Sequence, residues 1–111
     1  MAEVKILLTD DVNSGTNEFY DFPIIPAGKI WVVKEFGGSD KNLGDNKSSV
    51  VALYFGNDVQ EFMTVTGNTF IYKDLNREFT GDGTKRLRIL RQNNSASTKP
   101  VGAWLKGYER S

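Results

Sequence analysis

The chain has 111 residues, no cysteine and no histidine, and 14 Lys/Arg balance 14 Asp/Glu to a formal net charge of zero. That length fits one domain over residues 1–111, with a core of its own and no room for a second. The missing cysteine excludes disulfides and thiolate metal sites, and the missing histidine removes the commonest general base and the commonest zinc ligand.

Charge is uneven along the chain. Residues 1–84 hold seven Lys/Arg against thirteen Asp/Glu, and residues 85–111 hold seven against one. Either basic C-terminal strands pair with acidic earlier ones inside one sandwich, or the surface is bipolar and docks copies of itself or a charged neighbour. The first residues lack the basic-then-apolar order of a secretion signal, and Ile6-Leu7-Leu8 is far too short to span a bilayer. The expectation is a chain made and kept in a cytosol, or released by lysis, with no membrane partner.

Residues 3–9 alternate Val4, Ile6, Leu8 against Glu3, Lys5, Thr9, as a half-buried strand does. Residues 10–17 read as a loop, and residues 19–22 as a short aromatic strand stopped by Pro23. The run Ile25-Pro26-Ala27-Gly28 fits a turn with Pro at its second corner and Gly at its fourth. Residues 29–36 form the clearest strand, with Ile30, Val32 and Phe36 on one face and Trp31 and Val33 on the other. Apolar on both faces, it belongs in the middle of a sheet. Residues 37–47 read as the longest loop. Strands follow at 49–55, 59–66 and 69–73, and residues 74–78 are ambiguous, with a helical turn one option.

The basic stretch at 85–92 has two candidate structures. As a helix it would crowd Lys85, Arg86 and Arg88 at the N-terminus, against the helix dipole. As a strand it places Lys85, Leu87, Ile89 and Arg91 on one side and Arg86, Arg88 and Leu90 on the other. The flanking Gly81-Asp82-Gly83 turn and Asn93-Asn94 stop favour the strand. An unpaired buried guanidinium costs several kcal/mol, so Leu87 and Ile89 face the core while Arg86 and Arg88 face water or a partner. A last strand at 101–108 sets Ala103 and Leu105 against Trp104, Lys106 and Tyr108.

About eight short strands with frequent turn signals predict an all-β, single-domain antiparallel β-sandwich, jelly-roll-like. Its interior is expected to hold Ile6, Leu8, Val32, Val51, Leu53, Phe70, Leu87 and Ile89.

No stretch carries a reaction. Asp10, Asp11 and Asn13 begin like a calcium loop, but Gly15 and Thr16 break its spacing, and Asp40, Asn42 and Asp45 are equally out of step. No metal and no cofactor is expected. Gly81-Asp82-Gly83 lacks the third glycine and the Gly-Lys-Ser/Thr ending of a phosphate loop, so it reads as a turn. A carboxylate pair, Glu35 with Glu61 or Asp58, could in principle run glycoside hydrolysis, and spacing does not place it. Arg86 and Arg88 with Phe70 and Tyr72 would imitate a single-strand platform, yet no domain-wide basic excess exists, and no nucleic-acid partner is expected. Trp31, Trp104 and Tyr108 fit either a sugar-binding face or a core and interface role.

Three stretches together carry a resemblance: residues 25–31 running on to Phe36-Gly37-Gly38, residues 80–85 running on to Arg88-Ile89-Leu90, and residues 102–109. They resemble small β-sandwich virion accessory proteins of tailed bacteriophages, of head, neck or tail. The resemblance implies a non-enzymatic structural subunit of the virion, made in the bacterial cytoplasm. Its partners would be itself, as a homo-oligomer, and virion proteins such as the major capsid protein. Within that frame a capsid decoration (cement) role is expected. Arg86, Arg88, Arg91, Lys106 and Arg110 would be the polar contacts, and Trp31, Trp104 or Tyr108 an interface anchor. The competing reading is a carbohydrate-binding module of a tail or host-recognition apparatus.

Overall fold

The computed structural model describes residues 3–12, 16–40, 48–66, 69–94 and 99–111. They form eight strands: β1 (Glu3–Val12), β2 (Asn17–Ile24), β3 (Ile30–Asp40), β4 (Ser48–Phe55), β5 (Asp58–Thr66), β6 (Thr69–Thr80), β7 (Arg86–Gln92) and β8 (Lys99–Arg110). The chain pairs as one long nested hairpin, β1 with β8, β2 with β7, β3 with β6 and β4 with β5, all antiparallel. Two further pairings, β3 with β8 and β4 with β7, roll this ladder into two four-stranded sheets. Their orders are β1-β8-β3-β6 and β2-β7-β4-β5, a jelly roll. The fold expected from alternation is therefore the one observed, and among the described residues there is no helix.

Between the sheets lie Phe22, Phe36, Val51, Leu53, Leu87, Ile89 and Leu105, all fully buried. Leu87 and Ile89 face inward as their alternation requires, on a strand held between β2 and β4. Polar groups close one end of this core. Ser49 Oγ donates to the buried Asp40 at 3.3 Å, and Asn93 Nδ2 donates to the Val12 carbonyl at 2.7 Å.

Several expectations change. Val32 is buried but does not belong to the central cluster, which takes Trp31, Val33 and Phe36 instead. The pairings of β3 shift register between Val33 and Glu35, and one extra residue there reverses the alternation, so Phe36 joins the face of Trp31 and Val33. Phe70, expected inside, is 69% exposed: β6 alternates without a break, Leu75 and Phe79 turn inward, and Phe70 falls on the other face, opposite Ser39. Residues 74–78 are strand, and Gly37 to Asp40 continue β3 rather than opening a loop, since both stretches have ladder partners. Pro23 does not stop β2; it sits at a register irregularity of an edge strand, where its missing N–H costs no ladder bond. The turn after β2 falls one residue later than expected. Lys29 N–H donates to the Pro26 carbonyl, and Gly28 takes the positive φ of 83° that the third corner of a type II turn needs. The side chain of Leu8, and residues 13–15 and 41–47 of the two expected loops, lie outside the described residues.

Candidate functional site

Antiparallel register stacks side chains into rows across each outer face. On the β1-β8-β3-β6 sheet, Leu7 opposes Trp104, Trp104 opposes Gly37, and Gly37 opposes Tyr72. This row runs over all four strands. Leu7 is 70% and Tyr72 52% exposed, and Phe70 adds a ring in the neighbouring row. Gly37 is what lets the row lie flat: a Cβ there would fall inside the Trp104 indole. The indole is pinned from its polar edge as well, because Trp104 Nε1–H donates to Glu35 Oε2 at 2.7 Å. Beside this row lies a charged one, Lys5, Lys106, Glu35 and Asp74, two lysines on β1 and β8 and two carboxylates on β3 and β6. Between the two rows sits a shallow cleft of about 240 Å³ against Trp104, Leu7 and Lys106.

The outer face of the second sheet carries its own apolar row, Phe19, Leu90, Ala52 and Phe62. Next to it Arg88 Nε donates to Asp21 Oδ1 at 2.7 Å, while its guanidinium lies 4.0 Å from the centre of the Phe19 ring. Tyr54 meets Phe19 edge-on at 5.3 Å.

The residues expected at an interface are scattered by the fold. Trp104, Lys106 and Tyr108 share the outer face of β8. Trp31 faces the opposite way, is part of the core cluster, and donates from Nε1 to Glu109 Oε1 at 3.0 Å. Arg91 shares the inward face of Leu87 and Ile89 and is only 3% exposed, its Nη2 3.9 Å from Glu18. Neither Trp31 nor Arg91 offers surface to a partner of the folded chain. Arg86 is half-buried, and Arg88 is engaged by Asp21. Arg110 Nη2 reaches both carboxylate oxygens of Glu78 at 2.8 and 2.9 Å. These contacts join the basic C-terminal strands to acidic earlier ones, the first of the two readings of the uneven charge.

Other constellations come apart. Arg86 and Arg88 lie on one sheet, Phe70 and Tyr72 on the other, so no single-strand platform forms. Glu35 holds the Trp104 indole, whereas Glu61 bridges the sheet edges through Lys73 at 2.8 Å and Arg77 at 3.4 Å. The Lys73 hydrogen bond, with Arg77 nearby, lowers the Glu61 carboxyl below its ordinary range. At the β6–β7 turn the Asp82 carboxylate accepts from the Thr84 hydroxyl, the Thr84 N–H and the Lys85 N–H, which lowers it to about 2. Among the described residues, no group of three or more Asp or Glu is placed to hold a metal ion.

Sequence reasoning had Trp104 but not the row around it. Gly37 and Tyr72 come beside it only through β3 pairing with β8 and β6, and no local pattern encodes that adjacency. The one local signal was Leu7, an apolar residue out of phase with Val4 and Ile6.

No family description matches the sequence, and neither does any curated protein. Among solved structures, a subunit of Bacillus endospore appendages, described as disulfide-linked pili, is similar at a TM-score of 0.53. Its identity is 12%, with 96% of this chain and 86% of that chain covered, a likeness of fold. The coat protein of Tobacco streak virus matches at a TM-score of 0.38 and 14% identity, over 93% of this chain and 85% of that one.

Proposed function

We propose that this chain is a non-enzymatic structural subunit of a virion, a capsid decoration protein that stabilises the head through subunit–subunit contacts. The observation that carries this reading is the Leu7–Trp104–Gly37–Tyr72 row. Leu7 and Tyr72 stand exposed at the two ends of a row that crosses all four strands, with the half-buried Trp104 between them. A free monomer gains nothing from that exposure; a subunit that buries it against a neighbour gains roughly 25 cal/mol per Å² of apolar surface. Endospore appendages of similar fold are disulfide-linked pili, and with no cysteine in this sequence cohesion would rest on noncovalent burial.

Mass spectrometry of purified virions, followed by binding of the chain to expanded capsids, tests the proposal. Presence in virions and saturable capsid binding support it, and absence from virions with no capsid binding removes it. The second reading, a carbohydrate-binding module, draws on the cleft beside Trp104, whose indole offers a flat apolar face next to Glu35 and Lys106. Glycan-array binding lost in Trp104→Ala with the fold intact would favour it.

A further inference from the structure

We infer that the outer face of the β1-β8-β3-β6 sheet is a two-fold, self-complementary interface whose occupant is a second copy of this chain. The inference deepens the structural-subunit reading and takes from it only that the face is covered by protein.

Its basis is the order of charges in the row beside Trp104. Reading across the sheet, Lys5 and Lys106 occupy β1 and β8, and Glu35 and Asp74 occupy β3 and β6. These four paired residues are positive on one half and negative on the other; Lys34, the extra residue at the β3 shift, lies beside them near Lys106 and donates to Asn76 Oδ1 at 2.8 Å. Among the described residues no ion pair consumes Lys5, Lys106 or Asp74, and Glu35 is engaged by the Trp104 N–H.

Consider a two-fold axis in the contact plane, parallel to the strands and between β8 and β3. It lays each strand over its mirror position: β1 over the second copy's β6, and β8 over its β3. Lys5 then faces the partner's Asp74, and Lys106 faces the partner's Glu35. Because the operation keeps every row in place, the apolar row also meets itself. Leu7 packs on the partner's Tyr72, and the Trp104 indole, already lying over Gly37, meets its counterpart at the axis. Such an isologous contact closes at two copies.

A partner of uniform charge would meet like charge along half of the row, so this pattern selects against nucleic acid and against strongly acidic or basic proteins. Size agrees. Four strands about 4.8 Å apart and about ten residues long give a face on the order of 600 Å² in plan, the scale of the ~800 Å² per partner of standard interfaces.

The test is sedimentation equilibrium on the full chain with two charge reversals, Lys5→Glu and Asp74→Lys, both at exposed positions. Wild type is expected to reach twice the 12.4 kDa chain mass. Each single variant places like charges opposite each other at two symmetric points and should weaken association roughly tenfold or more. An equimolar mixture of the two variants restores both attractive pairs, as does the double variant on one chain, and both should regain the wild-type mass. Thermal melts check that each variant is folded. If either reversal unfolds the chain, Leu7→Glu, at a residue 70% exposed, serves as the disrupting substitution and should likewise yield monomer. A wild type that stays monomeric at all concentrations overturns the inference. So do single variants that associate like wild type, or a mixture with no rescue. Capsid binding by a monomer would leave the virion reading standing while this interface falls; dimerisation by a chain absent from virions would do the reverse.

Discussion

Trp104 shows how one side chain depends on a neighbour far away in sequence. Its indole covers Gly37 because nothing projects from that residue, and Glu35 holds its N–H. Gly37→Ala is therefore expected to lift the ring, shifting Trp emission to the red and costing about 1–3 kcal/mol, the usual range for overpacking. Gly107→Ala should cost at least as much as the top of that range, since the added Cβ would meet the Val32 backbone carbonyl, which cannot rotate aside as a ring can. Chemical denaturation of both variants checks the order.

A second residue-scale prediction concerns acid. The Asp82 carboxyl is lowered from 3.8 to about 2 in the folded chain by the Thr84 hydroxyl and two backbone N–H groups. A folded value below the unfolded one makes its contribution complete above about 3.8 and lost as pH falls through about 2. Urea midpoints between pH 5 and pH 2 should fall, and should fall less steeply in Asp82→Ala.

At the level of strands, the β5 and β6 edges are tied across the sandwich by Glu61 with Lys73 and Arg77. The lysine and arginine are well exposed, so Glu61→Gln is expected to cost no more than ~1 kcal/mol, and less in high salt. Core positions behave otherwise. Phe36→Ala should cost about 3–5 kcal/mol, whereas Phe70→Ala, at a ring 69% exposed, should leave the melting temperature nearly unchanged.

That contrast marks what could be read from the chain. Period-two alternation was enough to find the strands and to orient Leu87, Ile89, Val51 and Leu53, because unbroken alternation is a local property. It misplaced Val32, because the register shift after Val33 inverts the faces of β3 beyond it, and an extra residue in a ladder leaves no mark in the residue pattern. It misplaced Phe70 because a strand read only over 69–73 is cut off from Phe79, the inward ring that sets the phase of β6. The Gly37-Gly38 pair looked like a loop for a related reason. Its glycines serve close approach, Gly37 beneath Trp104 and Gly38 against Val51, rather than a turn. The proposed interaction face was half legible: Trp104, Lys106 and Tyr108 were placed together, but their neighbours on β3 and β6 depend on pairings between residues far apart in the chain.

For the whole molecule, the uneven charge along the chain is partly folded away, since three of the seven basic residues of 85–111, Arg88, Arg91 and Arg110, meet Asp21, Glu18 and Glu78. What remains on one sheet face is a pattern, apolar row beside split charge row, that a second copy answers. The most direct measurement of that claim is the molecular mass of the wild-type chain by sedimentation equilibrium over a dilution series, with Leu7→Glu alongside. The account predicts a concentration-dependent rise from 12.4 kDa to twice that mass, ending there, and a folded monomer for Leu7→Glu. A wild type that remains at the monomer mass throughout, or a Leu7→Glu chain that dimerises equally well, would contradict it.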